Sequence, residues 1–429
     1  MREWGVSRAA MAGQRVLYLS YDGMTDPLGQ SQVLPYLAGL AGRGHAISLI
    51  SFEKAARSRQ EREAVRALCA RAGIDWHPQE YHKRPPILSG LYDLIVMARA
   101  AVRLHRRRRF DWVHCRSDLP ALVGLAMKRR HGVNFLFDMR GFWADERVDG
   151  GLWDQGNPLF RALYRLFKRK EAEFLREADH AVSLTEAGRQ VLEKQGAESP
   201  ISVIPCCVDF AAFRPAGTAA RGEARDRLGI AADARVAAYL GSIGTWYMLD
   251  EMLDCFRVQL ERDPGAVFLV ISRDDPAPIM AAAAAKGIQP KSLLIRGASR
   301  GEVPLFIAAA DYGLFFIRPS FSKVASCPTK LGELMAMEIP VLTNGGVGDV
   351  AGIVAESGAG VIVEDFTAAA YCRALDCLEG LPSARDDWRA TARKWFDLKA
   401  GVERYDAIYR SAATASNKTT TRGACEASE

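Results

Sequence analysis

The stretch Arg15 to Phe52, RVLYLSYDGMTDPLGQSQVLPYLAGLAGRGHAISLISF, decides the fold. Its first six residues, Arg15 to Ser20, form a short apolar run of the kind that fills a strand buried on both faces. A loop holding glycine and proline follows, Tyr21 to Gly29. Val33, Leu34, Leu37 and Leu40 then recur at helical spacing, and Gly44 supplies a natural helix stop. The segment closes on a second apolar run, Ala46 to Phe52. Strand, glycine loop, helix, glycine stop and strand make one βαβ unit, which implies a parallel sheet.

The alternation continues outward. Strands are expected at Trp112 to Cys115, Asn134 to Asp138, His180 to Ser183 and Ser202 to Pro205. A second series begins at Val236 to Gly241. It runs through Ala266 to Ser272, Ser292 to Arg296, Tyr312 to Ile317, Pro340 to Thr343 and Gly360 to Val363. Helical segments separate these strands. Two consecutive series of similar size imply an α/β protein of two Rossmann-like doubly wound domains facing a central cleft. The expected boundaries are 13–213 and 218–382, with a linker near Phe213 to Gly217. A C-terminal helix at 383–411, rich in aromatic residues, follows, and then a Ser/Thr/Lys-rich tail at 412–429 expected to be disordered.

At 429 residues the chain is too long for one compact core. Hydrophobic residues make up 49% and charged residues 25%, the balance of a globular protein. The net charge of +6 is unevenly spread: Arg103 to Arg109 reads RLHRRRR, and Arg161 to Lys170 reads RALYRLFKRK. Such runs are either solvated helix faces or a patch resting on an anionic membrane surface or acceptor. They lack the interleaved aromatics and motifs of nucleic-acid modules, so no nucleic-acid partner is expected. The nine cysteines show no metal-ligand spacing and read as reduced thiols. No apolar run reaches the ~18–20 residues needed to span a bilayer. Met1 to Gly13 is short and polar, without the apolar region of a signal peptide. These features point to a cytoplasmic address, with membrane contact at most peripheral, on the inner face of the plasma membrane.

The residues richest in chemistry lie in Arg318 to Asp349, RPSFSKVASCPTKLGELMAMEIPVLTNGGVGD. The expected order is strand, polar loop, helix, strand and glycine loop. Pro328 suits the first turn of the helix, with Ser326 or Cys327 as its cap. A helix N-terminus presents free amides and a positive dipole end, which seat a phosphate. Glu333 and Lys330 fall on one face, the carboxylate able to hold two sugar hydroxyls and the lysine a phosphate oxygen. Gly345 and Gly346 let backbone approach a ligand closely. Each feature alone also describes an ordinary capped helix and turn; together, at the ends of parallel strands, they mark a ligand site.

This segment resembles the donor-binding region of the family 4 glycosyltransferases, which have the GT-B fold. Their motif holds two glutamates separated by seven residues, then a small-residue helix and Gly-x-Pro-Val. Leu331 to Val341 matches its second half, with Glu333 as the second glutamate, which the resemblance assigns to the donor ribose. The first glutamate falls at Ala325, and Glu338 replaces the usual glycine before Ile339-Pro340-Val341. Lys323 and Ser322 are close enough in sequence to supply polar contacts in its place. Asp26 to Gly29 with Arg43-Gly44-His45 resemble the family's N-terminal glycine loop and helix stop. Val203 to Pro215, VIPCCVDFAAFRP, resembles its hinge-side signature.

The family also carries an Arg and a Lys after the first strand of the C-terminal domain, where they clamp the diphosphate. Here that loop, Gly241 to Asp250, reads GSIGTWYMLD and has no cation. A diphosphate needs charge neutralisation in a dry site, so Arg273, Lys323 and Lys330 are the candidates. Arg273 could equally pair with Asp274 or Asp275. The expected donor-binding set is therefore Gly29, Gly241, Arg273, Lys330, Glu333 and Gly346.

In the N-terminal half, Asp138 to Arg147 reads DMRGFWADER. In the family this strand end faces the acceptor and the transferred sugar. Asp138 and Arg140, with Lys323, are the catalytic candidates. Phe142 and Trp143 could stack on a sugar or belong to the core. His114, Arg116 and Asp118 follow another strand end; all seven histidines lie at or before His180. No metal site is expected, since Asp274 and Asp275 are adjacent and followed by Pro276. No cofactor is expected either.

The resemblance implies transfer of a sugar from a UDP- or GDP-sugar donor to a sugar or lipid-linked acceptor. It further implies retention of anomeric configuration, independence of metal, and a setting in polysaccharide or glycolipid assembly. A nucleotide-sugar epimerase of the same architecture and a non-catalytic sugar-nucleotide-binding subunit are the alternatives.

Overall fold

The computed structural model describes residues 13–85, 87–382 and 386–425. Thirteen strands are found among them. The first seven are β1 (Arg15–Ser20), β2 (Ala46–Glu53), β3 (Asp75–Glu80), β4 (Trp112–Arg116), β5 (Asn134–Asp138), β6 (His180–Ser183) and β7 (Ile201–Val203). They form one sheet in the order β3-β2-β1-β4-β5-β6-β7. The other six are β8 (Val236–Leu240), β9 (Val267–Ile271), β10 (Leu293–Arg296), β11 (Tyr312–Leu314), β12 (Val341–Asn344) and β13 (Gly360–Val363). Their order is β10-β9-β8-β11-β12-β13. β1 pairs in parallel with β2 and β4, and β8 in parallel with β9 and β11. Both sheets thus start from a central strand and reverse direction beside it, which is the doubly wound pattern.

Apolar runs account for these strands. In β9, Phe268, Leu269, Val270 and Ile271 are all buried, each such side chain contributing about 1.5–3 kcal/mol. The strand missing from the sequence reading is β3, whose sequence is DWHPQE. It is an edge strand, where a proline and polar side chains are tolerated and no buried apolar run is needed.

By compactness the described residues divide into two units. One takes 13–138, 174–181 and 402–425; the other takes 139–173 and 182–401. The expected single C-terminal helix is two, Asp386–Phe396 and Leu398–Cys425, while 383–385 lie outside the described residues. The second of these helices seats Val402 against Gly39 within the first unit, where any side chain at residue 39 would collide with it. Its helical backbone runs on to Cys425, past the point where a disordered tail was expected. Residues 426–429 of that tail lie outside the described residues.

Candidate functional site

Parallel strands deliver their C-terminal ends, and the loops that follow, to the same edge of a sheet. In the second unit those loops begin at Gly241 after β8, Ser272 after β9, Gly297 after β10, Phe315 after β11 and Gly345 after β12. They are tied to one another. Gly241 donates its N–H to Ile271 O at 3.0 Å. Asp274 accepts from Ser242 Oγ at 2.8 Å and from Ile243 N at 2.6 Å. Asn344 exchanges hydrogen bonds with both backbone groups of Ile317, each at 2.8 Å.

Two of the glycines expected at this edge have backbones that favour glycine. Gly241 has φ +117°, and Gly346 has φ +77° with Pro319 packed against it. Glu338 adopts φ +60° at the position where the resemblance places a glycine. Left-handed backbone at a non-glycine residue costs about 1–2 kcal/mol.

The helix between β11 and β12 is Thr329–Ala336. Pro328 is itself the N-cap, not the first helical residue, and neither Ser326 nor Cys327 caps the helix by its side chain. A proline has no N–H to satisfy and its φ is already near helical, so the helix starts directly after it. The helix is buried along nearly its whole length. Gly332 allows Phe396 and Val208 to approach to about 3.0 Å from where a Cβ would stand.

This burial carries Lys330 and Glu333 inside. Lys330 is 5% exposed, and its Nζ has no hydrogen-bond partner. The ammonium instead lies over aromatic faces: 3.5 Å from the ring centre of Tyr247, 4.0 Å from Tyr239 and 5.7 Å from Phe315. A cation over such faces is attracted by the ring quadrupoles. The nearest atom to the position that a side chain at residue 241 would take is this same Nζ, at 3.5 Å. Burial drives Lys330 well below the ordinary lysine pKa, with Glu333 opposing that shift.

Glu333, 2% exposed, pairs with the Arg300 guanidinium. Burial pushes its carboxyl up, against the pull of Arg300 and Lys330. Arg300, in the loop after β10, also lies over the Phe213 ring at 4.7 Å. Sequence reasoning missed Arg300 and both tyrosines. A cation in the glycine-flanked loop Gly297 to Gly301 after an edge strand was the available signal for the arginine. Tyr247 lay in the very loop read as lacking a cation.

The other candidates are placed as follows. Lys323 is buried in a short 3₁₀ turn, Phe321–Ala325, where it pairs with Glu146 and lies 3.7 Å from the Trp246 ring centre. Burial lowers its pKa and Glu146 opposes this. Arg273 donates from Nε to Ala298 O at 2.9 Å. Asp275 caps the next helix by accepting from Ala277 N. Ala325 is buried with its methyl against Gly188, whose missing Cβ would stand 3.1 Å away. Close packing therefore occupies the place where the family motif has its first glutamate. Phe142 is fully buried and stacked on Phe321 at 5.0 Å, and Trp143 meets Phe167 and Trp153 edges. Phe142 is therefore core, whereas Trp143 is half-buried, with the Arg147 guanidinium 4.5 Å from its ring centre. Arg140 reaches Cys206 Sγ at 3.6 Å.

In the first unit, Asp138 is buried and meets His114 Nε2 at 3.2 Å, while His114 Nδ1 meets Tyr409 Oη at 2.6 Å. His114 is thus a satisfied core histidine. Arg116 reaches Asp22 at 3.2 Å, and Asp118 is buried at the start of its helix. Gly29 is packed so closely on Gly23 that a Cβ would stand 2.3 Å from its carbonyl oxygen. Its observed role is to let the loop after β1 fold back on itself.

The fold is shared with solved structures at low identity. Sucrose-phosphate synthase from Thermosynechococcus elongatus superposes with a TM-score of 0.72 at 14% identity, covering 94% of this chain and 100% of that one. Anabaena Alr3699/HepE, solved in complex with UDP-glucose, gives 0.69 at 14% identity, covering 94% and 100%. WaaG, a glycosyltransferase involved in lipopolysaccharide biosynthesis, gives 0.65 at 16% identity, covering 92% and 99%. The architecture is that of the GT-B glycosyltransferases.

Two family models match consecutive parts of the chain: Glycosyltransferase Family 4 over residues 30–212 and Glycosyl transferases group 1 over residues 220–395. The chain therefore belongs to the family 4, group 1 glycosyltransferases, and it is an enzyme of that class. Among curated relatives, the D-inositol 3-phosphate glycosyltransferase of Actinosynnema mirum is 29% identical over 163 residues, 38% of this chain and 37% of that protein. The protein of the same name from Nocardia farcinica is 26% identical over 281 residues, 63% of this chain and 59% of that protein. These matches span less than two thirds of either relative's own length.

Proposed function

We propose that the enzyme transfers a glycosyl group from a nucleoside diphosphate sugar to a hydroxyl of a sugar or lipid-linked acceptor. The observation that carries this reading is Lys330: a buried ammonium without a hydrogen-bond partner, beside Gly241 and the start of the helix Thr329–Ala336. A buried cation of this kind is costly unless an anion comes to it. The donor diphosphate is such an anion, and Lys330 replaces the cations absent from the loop Gly241 to Asp250. Gly346 lets backbone approach the donor, and Arg273 stands on the neighbouring loop as a second cation. Glu333, held by Arg300, accepts from the ribose hydroxyls. UDP-glucose bound to Alr3699/HepE supports a nucleotide-sugar donor, with UDP- and GDP-sugars the first to test.

In the reaction the bond between the anomeric carbon and the diphosphate oxygen breaks, and the acceptor oxygen bonds to that carbon. The departing diphosphate gains charge, and Lys330 with the free amides of the helix start stabilises it. The proton of the acceptor hydroxyl leaves with the diphosphate or passes to a nearby base. Asp138, Arg140 and Lys323 remain the catalytic candidates. We assign retention of configuration, metal-independent turnover and a role in polysaccharide or glycolipid assembly to the same reading.

The test is incubation of the purified chain with labelled UDP-, GDP- and ADP-sugars and an acceptor panel, with and without chelator. Nucleoside diphosphate released together with a glycosylated acceptor is the expected result. Epimerised donor without transfer would replace this reading by an epimerase.

A further inference from the structure

Outside the donor site, the first unit exposes an apolar stripe on the helix Leu88–Arg108. Large exposed hydrophobic side chains are scattered singly over most of the described surface, yet five of the thirteen fall within residues 87–95. Leu88 is 64% exposed, Leu91 54%, Tyr92 55% and Ile95 42%. Their spacing of three and four residues puts them on one face of the helix. The stripe runs ~10 Å along the axis from Leu88 to Ile95. The same face then changes character. Arg99, Arg103, Arg106 and Arg107 continue it at helical spacing, all exposed. Lys83 and Arg84 stand exposed just before the helix. Between residues 81 and 109 the only acidic residue is Asp93. It is fully buried and accepts from Tyr21 Oη, from His82 N and at His82 Nδ1.

We propose that this helix is a membrane-docking surface, lying flat on an anionic bilayer with Leu88, Leu91, Tyr92 and Ile95 in the headgroup–acyl boundary and its arginines among lipid phosphates. Charge complementarity selects that occupant. A second copy of the chain seated on the stripe would bring two sets of arginines together, which opposes association. A lipid surface offers apolar depth and negative charge side by side, which is what an interfacial helix requires. Among the described residues no helix is long and apolar enough to cross a membrane, so the contact is along the surface. It is read without donor or acceptor, and so stands or falls apart from the transfer reaction.

The experiment is cosedimentation of the full chain with vesicles of phosphatidylcholine alone and of phosphatidylcholine with phosphatidylglycerol. Two variant sets are compared: Leu91→Ser with Ile95→Ser, and Arg99→Ser with Arg103→Ser and Arg106→Ser. All five positions face solvent, and unchanged melting curves confirm the fold. Expected is binding to the anionic vesicles at least about tenfold stronger than to neutral ones, weakened by salt. Each variant set should lower that binding by roughly tenfold or more. The proposal is overturned if the wild type sediments with neither vesicle, or if either variant set binds as the wild type does. It is equally overturned if Leu91→Ser with Ile95→Ser turns a dimer into a monomer while no vesicle binding is seen.

Discussion

The Lys330 ammonium stands 3.5 Å from the centre of the Tyr247 ring and has no hydrogen-bond partner. Aromatic faces hold a cation in place without neutralising it, so the charge stays available to an incoming anion. Buried without a hydrogen bond, the lysine works against folding. Its folded pKa lies well below its unfolded value. Sign follows: above the unfolded lysine pKa there is no penalty, and as pH falls below it the penalty grows toward the folded pKa. At neutral pH the penalty is present. Lys330→Met should therefore melt higher than the wild type, by roughly 2–4 °C for each kcal/mol of penalty removed. Thermal denaturation of the ligand-free proteins checks this, and a lower melting temperature would contradict it.

The same depression makes donor binding proton-linked. A diphosphate beside Lys330 favours its charged form and raises its pKa, so binding takes up a proton wherever the free enzyme holds the lysine neutral. Donor affinity should fall as pH rises from the free-state pKa toward the bound-state pKa. Calorimetry of UDP binding in two buffers of different ionisation enthalpy measures the proton count directly. A heat independent of buffer across the neutral and alkaline range would exclude this linkage.

Glu333 is expected to read the ribose. Glu333→Gln keeps the shape but weakens acceptance from two hydroxyls, by about 1–3 kcal/mol. The wild type should bind UDP roughly tenfold or more tighter than 2′-deoxy-UDP, and the variant should lose most of that preference. Equal discrimination by both proteins would remove Glu333 from the ribose.

Ala325 tests the departure from the family motif. Its methyl packs on Gly188, so Ala325→Glu places a carboxylate in a close contact rather than restoring a ligand. A loss of about 3 kcal/mol or more is expected in chemical denaturation, with no gain in activity. By contrast, Glu338→Gly relieves a left-handed backbone and should stabilise by up to about 1 kcal/mol.

The fold was legible because βαβ units announce themselves: buried apolar runs such as Arg15 to Ser20 and Val267–Ile271 alternate with helical spacing and glycine stops. The edge strand Asp75–Glu80 was not, since a strand buried on few sides needs no apolar run. Among the donor-site candidates, Lys330, Glu333, Gly241 and Gly346 were picked out by residue type, and the structure brings Lys330 beside Gly241. Arg300 was not, because its link to Glu333 depends on β10 and the helix Thr329–Ala336 being brought together by the sheet order. Phe142 and Trp143 show the limit of residue type most plainly. Aromatic and charged neighbours suggest sugar binding for both, yet Phe142 is fully buried and stacked on Phe321, while Trp143 stays half-buried beside Arg147.

The most direct measurement is calorimetric titration of UDP-glucose and GDP-linked sugars into the wild type and Lys330→Met at pH 7. If the diphosphate docks on Lys330, whichever donor the wild type binds should lose about 100-fold or more in affinity, while the variant remains folded. An unchanged dissociation constant in a folded Lys330→Met protein would show that the diphosphate is neutralised elsewhere.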